Sequence, residues 1–115
     1  MNAINVEELL ERCMGVHSIM ETVLAEFRDL GEEMLRNIET RLDEGAWRKA
    51  SEAAHSLKGA SGNISAESLH ALAAKMEICA EKADAEACNE LRQVLRREME
   101  LCLHDISEIL NDCPV

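Results

Sequence analysis

Apolar residues recur at steps of three and four along almost the whole chain, which is the spacing of one face of an α-helix. In one long segment these positions are Met20, Val23, Leu24, Phe27, Leu30, Met34, Ile38 and Leu42. In the last segment they are Leu91, Val94, Leu95, Cys102, Ile106 and Ile109. No segment alternates apolar and polar residues with a period of two, so we predict no β-strand. The pattern predicts an all-α protein.

Five helices follow from these stripes and from the residues that start or stop helices. They are predicted to span Val6 to Cys13, Ile19 to Asp43, Ala46 to Gly62, Ala66 to Ala83, and Ala85 to Leu110. The expected N-caps, whose side chains accept hydrogen bonds from helix N–H groups, are Asn5, Ser18, Ser65 and Asp84. Asn5 with Glu8 and Ser18 with Glu21 also have the spacing of a capping box. Gly15 and Gly45 are expected to end the first two helices, because glycine readily adopts the left-handed conformation.

Four long amphipathic helices joined by short turns pack best as an up-and-down antiparallel four-helix bundle. The short extra N-terminal helix is expected to cover one end of it. A length of 115 residues predicts a single domain over residues 1–115. Phe27 and Trp47 are the only aromatic residues, so the core must be built from aliphatic side chains and Met.

The charge balance narrows the range of partners. The chain has 12 Lys and Arg against 23 Asp and Glu, a formal net charge of −11. Such a chain repels phosphate backbones and anionic lipids, so we expect no nucleic-acid partner and no membrane contact. No uncharged apolar run approaches the about 18 residues of a membrane span, and no basic segment opens a secretory signal. We therefore expect a cytoplasmic protein. Its five cysteines form no C-x-x-C pair, so Cys13, Cys79 and Cys102 are interpreted as packing residues.

The third predicted helix carries the most informative residues. Ala54 and Leu57 face the core by helical spacing. The opposite, solvent-facing side holds Arg48, Ser51, Glu52, His55, Lys58, Gly59 and Gly62. Lys58 lies one turn beyond His55, within reach of anything attached to the imidazole. Gly59 weakens the helix, which makes sense if another molecule must come close to His55 at that point.

Local charge agrees with this hypothesis. Residues 46–64 carry three basic residues, Arg48, Lys49 and Lys58, against the single acidic residue Glu52. A mildly basic strip on an acidic protein suits a phosphoryl group brought in by an acidic partner site.

The run His55-Ser56-Leu57-Lys58-Gly59, followed by Ala60-Ser61-Gly62-Asn63-Ile64, resembles the motif of the histidine-containing phosphotransfer domains of bacterial and fungal phosphorelays. Phe27 before the motif and the spacing from Leu69 to Glu77 after it are similar to the family pattern as well. The chain differs from that pattern at Ser65, where the family often has Gly, and at Val16, where it often has Asp. Both positions are predicted turns.

The resemblance implies a phosphoryl carrier. His55 would accept the group through Nε2 from a phospho-aspartate on a response-regulator receiver domain and pass it to another receiver. Lys58 would offset the phosphoryl charge, and Gly59 would leave access for the receiver. By family position Glu77 would hold the other ring nitrogen of His55, although an ordinary solvated glutamate accounts for it equally well.

The resemblance also implies that the chain is not an enzyme with its own cofactor. Mg²⁺ in such transfers belongs to the receiver, so neither a metal nor a cofactor is expected here. The sequence contains no Gly-rich nucleotide loop and no ATP-binding lysine motif, so phosphorylation requires a kinase or a receiver upstream. The expected upstream partner is a hybrid sensor kinase. The chain is either free-standing or the terminal domain of such a kinase, and we expect a monomer.

Two alternatives belong to other functional classes. Glu52 with His55 and Glu67 with His70 have the Glu-x-x-His spacing of di-metal four-helix bundles. Both pairs are predicted to lie opposite the apolar stripes of their helices, and Lys58 would repel a cation. The other alternative is a helical adaptor that binds a partner without accepting a phosphoryl group.

Overall fold

The structure, a computed structural model, describes residues 3–111. These residues form α1 (Val6–Arg12), α2 (His17–Asp43), α3 (Trp47–Asn63), α4 (Glu67–Glu81) and α5 (Ala85–Asn111). Every predicted helix is confirmed, with its ends displaced by at most two residues.

The four long helices form a closed ring of packed neighbours. α3 packs on α2 and α4, and α5 packs on α4 and α2, while α1 contacts α2. The molecule measures 46 × 24 × 22 Å, and a helix of 27 residues is about 40 Å long, so α2 and α5 run nearly the full length. This is the expected four-helix bundle with a short extra N-terminal helix. Within residues 3–111, no helix combines the length and apolar character needed to cross a membrane.

The core is aliphatic, as the composition predicted. Its largest fully buried side chains are Ile4, Leu9, Leu24, Leu35, Ile38, Leu57, Ile64, Leu69, Met76, Leu95, Met99 and Ile106. Phe27 is buried beside them, whereas Trp47 is only half-buried at the rim.

Two apolar positions were assigned to the wrong side of their helices. Leu30 is 51% exposed and Val94 is 40% exposed, while Leu35 and Met99 are fully buried. The inward stripe of α2 passes through Gly31, where a Cβ would lie only 3.1–3.4 Å from core side chains. The three-residue step from Phe27 predicts Leu30 on this stripe, but the inward position is Gly31, about 100° away around the helix.

Two predicted caps are also wrong. α2 begins at His17, and its N-cap is Val16, so the expected capping box of Ser18 and Glu21 does not form. The N-cap of α4 is Ala66. Ser65 has a φ of +57° and its hydroxyl donates to Glu8 Oε1 at 2.9 Å. Ser65 therefore serves a turn rather than a helix end.

The other two predicted caps do form. Asn5 Oδ1 accepts a hydrogen bond from the Glu8 N–H at 3.1 Å, although the Glu8 carboxylate faces Ser65 instead of closing the box. Asp84 Oδ1 accepts one from the Ala87 N–H at 3.2 Å. Gly15 and Gly45 have positive φ at the two turns where glycine was expected.

α1 is fastened to the end of the bundle where α3 turns into α4. The Asn5 N–H donates to the Ser65 carbonyl at 2.9 Å, and the Arg12 guanidinium donates to the Gly62 carbonyl at 2.9 Å. The short helix covers this end as predicted, and it leaves the middle of α3 uncovered.

Candidate functional site

α3 presents His55 to solvent. The neighbouring Ala54 and Leu57 are fully buried, and the helical period then turns the residue between them outward. The side chain of His55 is 65% exposed. The imidazole is therefore open to a large partner.

Glu77 on α4 holds one nitrogen of this imidazole. Its Oε2 lies 2.9 Å from His55 Nδ1. A carboxylate can only accept, so the ring proton is placed on Nδ1 and the lone pair on Nε2. Within residues 3–111, no hydrogen bond to Nε2 is formed, and the His55 side chain is largely exposed, so the nitrogen with the lone pair is left unoccupied.

Lys58 occupies the second oxygen of the same carboxylate. Its Nζ lies 3.0 Å from Glu77 Oε1, and the Glu77 side chain is only 18% exposed. The hydrogen bond from Lys58 lowers the pKa of Glu77, partial burial opposes that change, and the His55 hydrogen bond lowers the pKa further. Glu77 is therefore an ionised bridge between the imidazole and the ammonium group at neutral pH.

Gly59 leaves the surface next to these groups open. A Cβ at this position would meet no atom within 4 Å, and the residue is exposed. The bare main chain thus provides a gap in the side-chain layer one turn beyond His55.

A family model for the Hpt domain matches residues 22–110. The chain belongs to the Hpt domain family. Hpt domains are phosphoryl carriers of two-component signalling, and they interact with response-regulator receiver domains. No match to a curated protein or to a solved structure was found.

Two hydrogen bonds of this Hpt domain do not follow from helical spacing alone. Ser51, assigned to the solvent side, is 8% exposed, and its hydroxyl donates to the Glu77 carbonyl at 3.2 Å. His70 Nδ1 lies 2.7 Å from the Lys58 carbonyl, and its ring covers Gly62. Only one feature of the sequence indicates the contact between Ser51 and Glu77. Ser51 is a small polar residue close to the alanines of α3.

The Glu-x-x-His pairs do not form a core metal site. Glu52, His55, Glu67 and His70 are all exposed, and His55 is bonded to Glu77 instead. Among the described residues, the one group with metal-ligand spacing is His104, Asp105 and Glu108 on α5. This group shares no residue with either Glu-x-x-His pair.

The remaining histidines and the cysteines lie apart from this arrangement. His17 is the exposed first residue of α2, and exposed His104 lies 3.2 Å from Glu108. Cys13, Cys88 and Cys102 are buried free thiols, and Cys79 is half-buried. Burial and the nearby Glu98 and Asp105 raise the pKa of Cys102 to about 12, so its thiol packs in protonated form. Cys113 lies outside the described residues.

Proposed function

We propose that His55 is the phosphoacceptor of a phosphorelay, taking a phosphoryl group from a receiver phospho-aspartate and passing it to another receiver. The observation that carries this proposal is the 2.9 Å contact between Glu77 Oε2 and His55 Nδ1. It leaves the lone pair of the imidazole on the exposed Nε2, where a nucleophile must have it.

The step balances without a proton transfer. The Nε2 lone pair forms the N–P bond while the aspartyl O–P bond breaks, and the receiver aspartate leaves as a carboxylate. The proton on Nδ1 stays in place, so the phosphorylated ring gains positive charge. The fixed carboxylate of Glu77 stabilises this charge as it develops.

Lys58 supports the same step from the phosphoryl side. Its ammonium group rests on Glu77 Oε1 at 3.0 Å and lies one helical turn from His55. An incoming phosphoryl group adds negative charge at this place, which the ammonium group offsets while it stays close to Glu77. The gap at Gly59 lets the receiver surface approach the main chain of α3.

The same proposal includes the location of the carrier, its oligomeric state and its partners. Residues 1–115 act as one carrier domain in the cytoplasm, as a monomer, downstream of a hybrid sensor kinase that supplies the phosphorylated receiver. The receiver brings the Mg²⁺, and the carrier itself uses no cofactor. One exposed imidazole on one helix face supports a carrier that meets its partners in turn.

Transfer from radiolabelled receivers tests the proposal. Receiver domains of the source organism are phosphorylated with acetyl phosphate carrying ³²P and mixed with the purified protein. We expect an acid-labile, alkali-stable label on the wild type and on His17→Gln and His104→Gln, and none on His55→Gln. The circular dichroism of His55→Gln should match the wild type because the residue is exposed.

Two outcomes would contradict the proposal. A label retained by His55→Gln would place the phosphoacceptor on another residue. Failure of every receiver to label the wild type would favour the helical adaptor.

A further inference from the structure

Two side-chain-to-main-chain hydrogen bonds join α3 and α4 on either side of His55. The Ser51 hydroxyl on α3 donates to the carbonyl of Glu77 on α4 at 3.2 Å. In the opposite direction, His70 Nδ1–H on α4 donates to the carbonyl of Lys58 on α3 at 2.7 Å. A carbonyl only accepts, so His70 must carry its proton on Nδ1.

The two bonds have a common register. Ser51 and Lys58 are seven residues apart on α3, and His70 and Glu77 are seven residues apart on antiparallel α4. Seven residues span about 10 Å of helix, so the bonds lie two turns apart along the interface. His55 sits between them on α3.

Each bond fixes the main chain of a residue whose side chain builds the site. Ser51 holds the backbone of Glu77, whose carboxylate holds His55. His70 holds the backbone of Lys58, whose ammonium group holds Glu77. The three side chains of the site are thus supported from both helices.

The local packing suits this task. Ser51 is 8% exposed, so water competes little for its hydroxyl. A Cβ at Gly62 would lie 3.0 Å from His70 Nδ1, so with any other residue there the His70 ring would have to move by a few tenths of an ångström. This accounts for a second glycine in α3, one that faces a side chain rather than open space.

We propose that Ser51 and His70 are positioning residues that hold Glu77 against His55 and so keep the His55 proton on Nδ1. The inference rests on the proposed function, in which the Nε2 lone pair is the nucleophile. When either bond is lost, the main chain of Glu77 or of Lys58 loses an anchor across the α3–α4 interface, and the carboxylate selects the tautomer less strongly. The Nε2–H tautomer then becomes populated, and it has no lone pair at the reacting nitrogen.

The test measures the tautomer and the transfer rate separately. Imidazole ¹⁵N shifts of His55, recorded above neutral pH, report which nitrogen carries the proton. Single-turnover transfer from a phosphorylated receiver reports the chemistry. The variants are Ser51→Ala, His70→Ala and their combination. Ser56→Ala is the matched control, because the Ser56 hydroxyl bonds the Glu52 carbonyl within α3 at 3.3 Å and does not reach α4.

We expect Ser51→Ala and His70→Ala to show the Nε2–H tautomer and to slow transfer about tenfold, a size typical of a small misplacement of reacting groups. Ser56→Ala should behave as the wild type, and all variants should keep the helical circular dichroism spectrum. If Ser51→Ala does not fold, His70→Ala carries the test, because His70 is exposed.

The inference is overturned if folded variants keep the wild-type tautomer, or if the tautomer changes and the transfer rate does not. In either case a labelled wild type would leave the proposed function intact. If no receiver labels the wild type, the proposed function fails, while the ¹⁵N shifts still show whether the two bonds hold Glu77 in place.

Discussion

At the scale of single residues, the carboxylate of Glu77 is the contact that the rest of the site shares. Each of its oxygens has one partner, His55 Nδ1 at 2.9 Å and Lys58 Nζ at 3.0 Å. An amide could keep the first contact, but it would bring no charge to the second. The charge of Glu77 can therefore be separated from its geometry by one substitution.

Glu77→Gln should lower the free energy of unfolding at neutral pH by about 1 kcal/mol, because the charged hydrogen bond to Lys58 is lost. In the folded state, the hydrogen bond from Lys58 lowers the pKa of Glu77 below its ordinary value of 4.5. The ionised Glu77 carboxylate therefore stabilises the folded state fully above pH 4.5. This contribution disappears as the pH falls through the folded-state pKa. Urea unfolding of both proteins at pH 7 and at about pH 3 should show the difference shrinking at the lower pH.

Glu81→Gln is the matched control, since Glu81 is an exposed residue of the same helix. A Glu77→Gln difference that stays constant over the pH range would mean that the Lys58 contact does not stabilise the fold.

Gly59 is a position where stability and function should respond in opposite directions. Gly59→Ala adds a Cβ that meets no atom within 4 Å, so it should stabilise the domain by about 1 kcal/mol through helix propensity. Gly59→Leu fills the gap beside His55, and we expect it to slow transfer from a receiver by about tenfold while the helix content is unchanged. Thermal unfolding and single-turnover transfer measure the two effects.

Gln93→Leu places the same bulk on an exposed position of α5 and should leave transfer unchanged. Equal transfer rates for Gly59→Leu and the wild type would show that the receiver does not approach at Gly59.

At the scale of helices and turns, three residues other than glycine have a positive φ within residues 3–111. At these positions the sequence departs from the usual preference for glycine. They are Met14, Ser65 and Ala83, with φ values of +56°, +57° and +53°. Ser65 gains a hydrogen bond from its hydroxyl to Glu8 in return for this conformation. Ala83 has no polar group in its side chain and is exposed. No side-chain hydrogen bond therefore compensates for its left-handed backbone conformation.

Ala83→Gly should therefore stabilise the domain. The left-handed conformation costs an L-residue about 1–2 kcal/mol, and glycine removes this cost. Part of the benefit is offset, because glycine gives the unfolded chain more conformational entropy. We expect a net increase in the free energy of unfolding of about 0.5–1 kcal/mol. Ala71→Gly, at an exposed position within α4, should instead lose about 1 kcal/mol. Urea unfolding decides the signs, and destabilisation by Ala83→Gly would contradict the argument.

The same scale shows what sequence alone could predict. Helix positions, the turn glycines and the outward direction of His55 follow from local periodicity, which depends on one helix at a time. The choice of Leu35 over Leu30 depends on how α2 meets its two neighbours. The hydrogen bonds of Ser51 and His70 depend on the α3–α4 register, which only tertiary packing sets. Glu77 came from family resemblance, and its distance to His55 required both helices.

At the scale of the whole molecule, ion pairs concentrate on the interface that the site does not use. The Arg92 guanidinium lies 2.7 Å from Asp43, and Arg96 lies 2.5 Å from Glu32 and 2.6 Å from Glu39. All of these join α5 to α2, whereas His55 and its partners lie on α3 and α4. The chain has a net charge of −11. The positive charge of these arginines therefore also reduces the repulsion between neighbouring carboxylates.

Arg96→Ala should lower the free energy of unfolding by about 1 kcal/mol, because it leaves Glu32 and Glu39 without their shared cation. The loss should shrink in about 1 M salt, where the screening length falls to about 3 Å. Exposed Arg97→Ala is the control and should have a smaller effect. Urea unfolding at low and high salt measures this, alongside phosphoryl transfer at neutral pH. Because α3 and α4 carry the site, transfer by folded Arg96→Ala should equal that of the wild type. A slower rate would show that the α2–α5 interface is coupled to His55.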